Sequence, residues 1–334
     1  MNVPEVSIII PCLNEEKTIS KLLEAILHQT FPVERMEVVI ADGMSEDRTR
    51  ARIEQFQQAH SEMSIRVCDN PERKIPVGLN IAIRAARAPI LTRMDAHTLP
   101  ALDYVEKSVV GLKAGLGANV GGVIDVKPSE NTWIARSISI ATAHPLGVGD
   151  AKYRWTTKAG TADTVAFGTY YKKTVESIGD YNEALLVNED YEFNARLRAS
   201  GGKVWIDPAI RAVYYSRPTF GALARQYFTY GFWKFKMLRK NPGTLRLRQA
   251  LPPLFVFGVL MLLLLAVFSS LARILLLAGL GVYLVILTGA SLKVAIKQKD
   301  ATLVVGVVSA IMSMHFSWGA GFWWSILKSE RKGS

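Results

Sequence analysis

The chain has 334 residues, enough for two domains or for one domain with an appendage. It is 49% hydrophobic with a mean hydropathy of +0.17, which excludes a polar, disordered chain and is high for a protein bathed wholly in water. The net charge of +11 is uneven: residues 1–199 carry 23 Lys/Arg against 26 Asp/Glu, residues 200–249 carry 10 against 1, and residues 250–334 carry 7 against 2. A nucleic-acid surface is the usual reading of a high pI. Here the basic belt adjoins apolar segments, which favours an anionic lipid surface and speaks against nucleic acid as a partner.

The two cysteines, Cys12 and Cys68, have no metal or redox spacing and read as buried reduced thiols of a cytoplasmic domain. The opening MNVPEVSIIIPC lacks the basic flank and long apolar core of a signal peptide, so the chain is expected to start in the cytoplasm.

In chain order, VSIIIPCLN (6–14) is a continuous β-branched run, as in a strand buried on both faces of a parallel sheet. The next segment places Ile19, Leu22, Leu23, Ile26 and Leu27 on one helical face. MEVVIADG (36–43) predicts a second buried strand, and SEDRTRARIEQF a helix with Ser45 as N-cap. SIRVCDN, PVGLNIAIRAAR and PILTRMDAH continue as strand, helix and strand. This alternation predicts an α/β domain with a mostly parallel, Rossmann-like sheet. Functional groups then belong at the C-terminal strand ends, where Asn14, Glu15, Asp42, Asp69, Asp95 and His97 fall.

Residues 128–163 mix Ser, Gly, Pro, Trp and Arg and read as loops over the sheet. A strand and a helix starting at Lys172 or Lys173 follow. LLVNEDYEFNARLRASGGK predicts a helix closed by Gly201 and Gly202, and VWIDPAIRAVYYS a strand pair.

From residue 219 the character changes. Residues 219–249 combine an apolar, aromatic face with Lys234, Lys236, Arg239 and Lys240, which suits an amphipathic helix in a membrane interface. Residues 250–328 form a transmembrane region. Segments 251–268 and 274–292 are uncharged and read as a hairpin, and 301–327 is a third uncharged segment. The third is either a full span or a re-entrant pair around His315–Gly321. Charge does not choose: Lys293, Lys297 and Lys299 place one end in the cytoplasm, and Lys328, Arg331 and Lys332 place the other there too. The domain division expected is therefore 1–218, 219–249 and 250–328.

The chemistry-bearing residues fall in four short stretches. Asp95 and His97 in RMDAH are two apart, so in an extended segment both point to one side and both can reach one metal ion. A surface aspartate and a loop histidine would give the same spacing. Glu189, Asp190 and Glu192 in NEDYEFN crowd like charges, which raises the pKa of one of them. A solvated acidic first turn of a helix would look the same.

Taken in order, IIIPCLNEE, VVIADGMSEDRT, RMDAH and VNEDYEFNARL resemble the inverting family 2 glycosyltransferases of the GT-A fold, across roughly residues 5–215. NEDYEFNARLRASGGKVWIDP followed by RQYFTYGFWK is similar to the membrane-bound glucosyltransferases of the succinoglycan ExoA type. The resemblance implies a UDP-hexose donor, with Pro11, Asn14 and Glu15 packing on the nucleoside and Asp42 contacting uracil or ribose. It implies Asp95 and His97 at a Mn²⁺ or Mg²⁺ that bridges the diphosphate. His97 departs from the family's acidic pair but is expected of the subgroup, and an imidazole favours Mn²⁺. It implies Asp190 as the catalytic base, with Glu189 as its rival. Arg73 and Lys74 either touch the diphosphate or are surface charges. Arg225, Gln226 and Trp233 stand where processive relatives carry Q-x-x-R-W, but the spacing differs. For His144, Trp155 and Trp205, core packing is favoured over sugar stacking.

The function implied is transfer of a hexose, glucose from UDP-glucose, to a polyprenyl-diphosphate-linked saccharide in exopolysaccharide or cell-envelope glycan biosynthesis. The protein would be multi-pass in the cytoplasmic membrane, with its catalytic domain in the cytoplasm and other polysaccharide-assembly proteins as possible partners. The alternative is a non-catalytic scaffold of the same fold in an assembly complex. Metal-dependent release of UDP separates the two.

Overall fold

A computed structural model describes residues 3–330 and divides the chain into two compact units. The first runs to Asp125 and resumes over Ala151–Tyr214. Its elements are β1 (Val6–Cys12), α1 (Ile19–Leu27), β2 (Met36–Asp42), α2 (Thr49–Ala59), β3 (Ser64–Asp69), α3 (Ile75–Ala85), β4 (Ile90–Arg93), β5 (Leu99–Pro100), α4 (Tyr104–Lys113) and β6 (Asn119–Lys127). In the second unit's insertion come α5 (Trp133–Ala141) and α6 (Pro145–Val148). The first unit then continues with β7 (Gly160–Thr161), β8 (Thr169–Tyr171), α7 (Lys172–Ile178), α8 (Glu189–Ala199) and β9 (Val204–Tyr215).

The strands form one mixed sheet. In the order β3-β2-β1-β4 all neighbours are parallel, with Ile8 paired to Val38 and Thr92. Beyond β4 the sheet turns antiparallel: β4 pairs β8, β8 pairs β6, and β9 pairs β5. The β-branched runs at β1 and β2 sit where they must, since every residue of both strands is buried. Each fully buried Ile or Val there contributes about 1.5–3 kcal/mol. Cys12 is buried and Cys68 half-buried, both as free thiols, and burial raises both thiol pKa values.

Three local expectations differ. The α2 helix starts at Thr49, and Ser45 is no cap: its hydroxyl donates to Asp42 Oδ1 at 2.5 Å. VWIDPAIRAVYY is one 12-residue strand, with Pro208 inside it, rather than a pair. Residues 128–163 are loops over the sheet only in part. Residues 126–150 belong to the second unit and include α5 and α6, so the first domain is not contiguous to residue 218. The reason is packing: Ile138 and Ala141 of α5 join an apolar cluster with Leu303, Val307 and Ile311.

That second unit also holds α9 (Phe220–Lys240), α10 (Leu247–Leu265), α11 (Ser270–Gln298) and α12 (Thr302–Glu330). The last three are long and apolar enough to cross a membrane. The third apolar segment is one continuous helix, not a re-entrant pair. Its small residues serve close packing rather than a break: a Cβ at Gly321 would meet Phe228 O of α9 at 2.0 Å, and one at Gly231 of α9 would meet Trp318 O at 2.0 Å. Arg331 and Lys332, which entered the charge argument, lie outside the described residues.

Candidate active site

The site lies at the C-terminal ends of β1, β2 and β4 in the first unit, and α8 closes it. Pro11 is buried one residue before the end of β1, and Asn14 and Glu15 lie just beyond it. Asn14 adopts a left-handed conformation (φ 54°), which an asparagine tolerates. Its Oδ1 accepts from Glu46 N at 2.9 Å, and its N donates to Ser45 Oγ at 2.8 Å. The first two strand-end loops are thus tied to each other.

At the end of β2, Asp42 is fully buried and fully engaged. It accepts from Ser45 N, Ser45 Oγ and Arg50 Nε, and Arg50 Nη2 continues to Asp69 at 2.6 Å. Arg73 (φ 56°) is paired with Glu46 at 2.5 Å, and Lys74 with Glu72 at 2.7 Å. Both cations are exposed on the same rim.

The stretch after β4 brings the strand ends together. His97 Nδ1 lies 3.0 Å from Glu15 Oε1. Asp95 Oδ1 accepts from Arg93 Nε at 3.2 Å and from Arg93 Nη2 at 3.1 Å. The same Nη2 donates to Glu189 Oε1 at 2.9 Å, on the first residue of α8. Arg93 therefore clasps the two carboxylates that sequence places 94 residues apart in the chain. It is 4% exposed, and its Nη1 has no hydrogen-bond partner among the described residues. Burial works against its charge, but Asp95 and Glu189 hold it firmly protonated.

Neither the spacing of RMDAH nor the resemblance assigns Arg93 a role. The signal was present: a lone cation inside the apolar run ILTRM, on a four-residue strand buried throughout. Such a charge needs a buried partner.

The α8 helix is held by Phe193, which stacks on Tyr181 at 4.5 Å between ring centres, and Tyr181 Oη meets Tyr170 Oη at 3.0 Å. Above this apolar floor sit Glu189 and Asp190. Burial raises the pKa of both, against the pull of Arg93, and Glu189 is pushed up to about 7. The two differ in availability. Glu189 is buried and committed to Arg93. Asp190 is half-buried, and its Oδ1 accepts from Tyr191 N at 2.7 Å. The residue before them, Asn188, is left-handed (φ 68°) and turns the chain into the helix.

Among the described residues, no three His, Cys, Asp or Glu side chains converge as a complete metal site. Asp95 and His97 offer a carboxylate and an imidazole, a mixed oxygen–nitrogen donor pair that fits Mn²⁺ better than Mg²⁺. Such a pair needs further oxygens from a bound ligand.

Of the other aromatic candidates, His144 lies in the second unit, where its Nδ1 accepts from Leu146 N at 3.1 Å and caps α6. Arg225, Gln226 and Trp233 lie on α9, also in the second unit, where Gln226 Nε2 donates to Tyr230 Oη at 2.8 Å.

The chain matches the family described as Glycosyl transferase family 2 over residues 7–177. It is 30% identical over 327 residues to the succinoglycan biosynthesis protein ExoA of Rhizobium meliloti, covering 97% of this chain and 96% of that one. It is 29% identical over 332 residues to a dolichyl N-acetyl-α-D-glucosaminyl phosphate 3-β-D-2,3-diacetamido-2,3-dideoxy-β-D-glucuronosyltransferase of Methanococcus voltae, covering 97% and 98%. Among solved structures, the mannosyltransferase PcManGT of Pyrobaculum calidifontis, in complex with GDP-Man and Mn²⁺, superposes with a TM-score of 0.63. That likeness covers 94% of this chain and 87% of the other at 18% identity, and it is one of fold. The strand-end site, the GT-A fold and the full-length similarity agree: the chain belongs to glycosyl transferase family 2.

Proposed function

We propose that the protein is an inverting, metal-dependent glycosyltransferase that moves glucose from UDP-glucose to a polyprenyl-diphosphate-linked saccharide at the cytoplasmic face of a membrane. One observation carries the chemistry: Asp190, half-buried, stands beside Glu189 at the start of α8, with its pKa raised. A general base works best when its pKa approaches the working pH. The two full-length relatives named above carry a succinoglycan-biosynthesis and a dolichyl-phosphate-sugar description, which supports a lipid-linked acceptor.

In this reading, Pro11, Asn14, Glu15 and Asp42 shape the nucleoside pocket. Asp42, saturated by Ser45 and Arg50, acts mainly by fixing that loop. Arg73 and Lys74 stand at the diphosphate rim. Asp95 and His97 would hold Mn²⁺ or Mg²⁺, which when bound neutralises charge on the diphosphate leaving group. Asp190 takes the proton from the acceptor hydroxyl as its oxygen attacks the anomeric carbon. The bond from that carbon to the diphosphate oxygen breaks, and its electron pair leaves with UDP. Glu189, held by Arg93, keeps α8 in place and adds negative charge that keeps Asp190 basic.

The test is UDP release by the full chain in detergent with UDP-glucose and a polyprenyl-linked saccharide. Release is expected to stop with EDTA and to return more fully with Mn²⁺ than with Mg²⁺. Its rate is expected to rise with pH above the ordinary carboxylate range, because a base of raised pKa loses its proton later than a free aspartate, and to be lost as pH falls. A rate indifferent to EDTA, or highest at acid pH, contradicts the assignment.

A further inference from the structure

A groove of about 1070 Å³ lies wholly within the second unit, at the upper end of small-molecule site volumes of roughly 300–1,000 Å³. One wall is a single face of α11: Val285, Gly289, Lys293 and Lys297 are four residues apart and span roughly 18 Å. The other wall comes from Lys127, from Arg136 and Ile140 of α5, and from Leu146 of α6.

Two contacts set how these walls align. At one end Arg136 Nη2 meets Asp300, just past α11, at 3.0 Å. At the other, His315 Nε2 donates to Leu146 O at 2.9 Å while its Nδ1 meets Tyr283 Oη at 3.0 Å. The apolar ends of both walls therefore coincide, and so do their cationic ends. The result is a polarity gradient: Val285, Ile286 and Leu146 at one end, Lys127, Arg136, Lys293 and Lys297 at the other.

The cations are available. Lys127, Lys293 and Lys297 are exposed and in no ion pair among the described residues. Arg136 is shared with Asp300, and its Nε has no hydrogen-bond partner among them. No carboxylate lines the groove among the described residues. Gly289 opens the middle, since a Cβ there would find nothing within 4 Å.

We propose that this groove seats the acceptor lipid, its diphosphate on Lys127, Lys293 and Lys297 and its hydrocarbon chain along Val285, Ile286 and Leu146. The assignment of the occupant rests on the lipid-linked acceptor proposed above. Charge decides among lipids. A diphosphate diester carries two negative charges in one compact head, where a phosphoglycerol diester carries one, and three unpaired lysines match the former. Membrane topology alone would also place lysines after a spanning helix. It does not explain Lys127, the last residue of β6, nor the four-residue ridge that leaves Lys299 out.

The test is equilibrium binding of a polyprenyl diphosphate to the full chain in neutral detergent. The double variant Lys293→Gln/Lys297→Gln is expected to bind about thirty-fold more weakly, from about 1 kcal/mol per lysine. Lys299→Asn, in the same basic cluster but outside the groove, is expected to bind as wild type. Gly289→Leu fills the open wall and is expected to abolish binding while its thermal unfolding temperature holds.

Wild-type affinity in the double variant or in Gly289→Leu overturns the groove. So does equal displacement by phosphatidylglycerol at the same mole fraction, which makes it a site for bulk anionic lipid. Because binding needs no turnover, the two readings fail separately: lysine-dependent binding with no transferase activity spares the groove, and normal acceptor KM in the variants spares the enzyme.

Discussion

Asp190→Asn is expected to lower turnover by about 10²–10⁴-fold while leaving UDP-glucose binding intact. The substitution keeps the shape and the Oδ1 that accepts from Tyr191 N, so the first turn of α8 stays formed. It removes only the ability to take a proton. The effect belongs in kcat, with the donor KM little changed, because the interaction lost is one made during reaction. Glu189→Gln is the companion. It breaks the pairing with Arg93, so its loss should come with reduced thermal stability. An active Asp190→Asn beside a stable but dead Glu189→Gln would transfer the base role to Glu189.

Arg93→Met is expected to damage the protein in two ways at once. Asp95 and Glu189 would lose the cation they share in a buried site, at a cost of about 3–5 kcal/mol. Glu189 and Asp190 would then hold their protons to higher pH, since the charge that opposed their raised pKa values is gone. Turnover at neutral pH should fall roughly 10²-fold as Asp95 and α8 lose their fixed geometry. Part of that loss should return at alkaline pH, which a purely structural defect would not show. Arg93→Lys should recover only a fraction, because an ammonium lacks the planar fork that reaches both carboxylates. A pH–rate profile identical to wild type would remove Arg93 from the positioning role.

Arg93 also shows where sequence reading stopped. Strands β1 and β2 were legible because burial on both faces favours a β-branched run, and Val6 with Ile8, Ile9 and Ile10 supplies it in β1. Asp95, His97, Glu189 and Asp190 were legible as types at telling spacings. That Asp95 and Glu189 are joined through one buried guanidinium was not, because the joining is a matter of tertiary distance. The antiparallel half of the sheet was hidden for the same reason: β8, β6 and β9 pair across long separations with no hairpin signal between them. Within residues 128–163, whose composition reads as loops, α5 was hidden because Ser137 and Ser139 blur its apolar face, which packs on other helices. In α12, Gly319 and Gly321 looked like breaks. They are where neighbouring helices come closest, and a Cβ at Gly319 would meet Pro252 O of α10 at 2.7 Å.

The central claim is a single displacement at the anomeric carbon assisted by Asp190. Its most direct measurement is the anomeric configuration, by proton NMR, of the lipid-linked saccharide formed from UDP-α-glucose by the full chain. A β-linked glucose, with one UDP released for each sugar added and neither formed by Asp190→Asn, is the predicted result. An α-linked product contradicts the mechanism, and product formed equally well by Asp190→Asn contradicts the site.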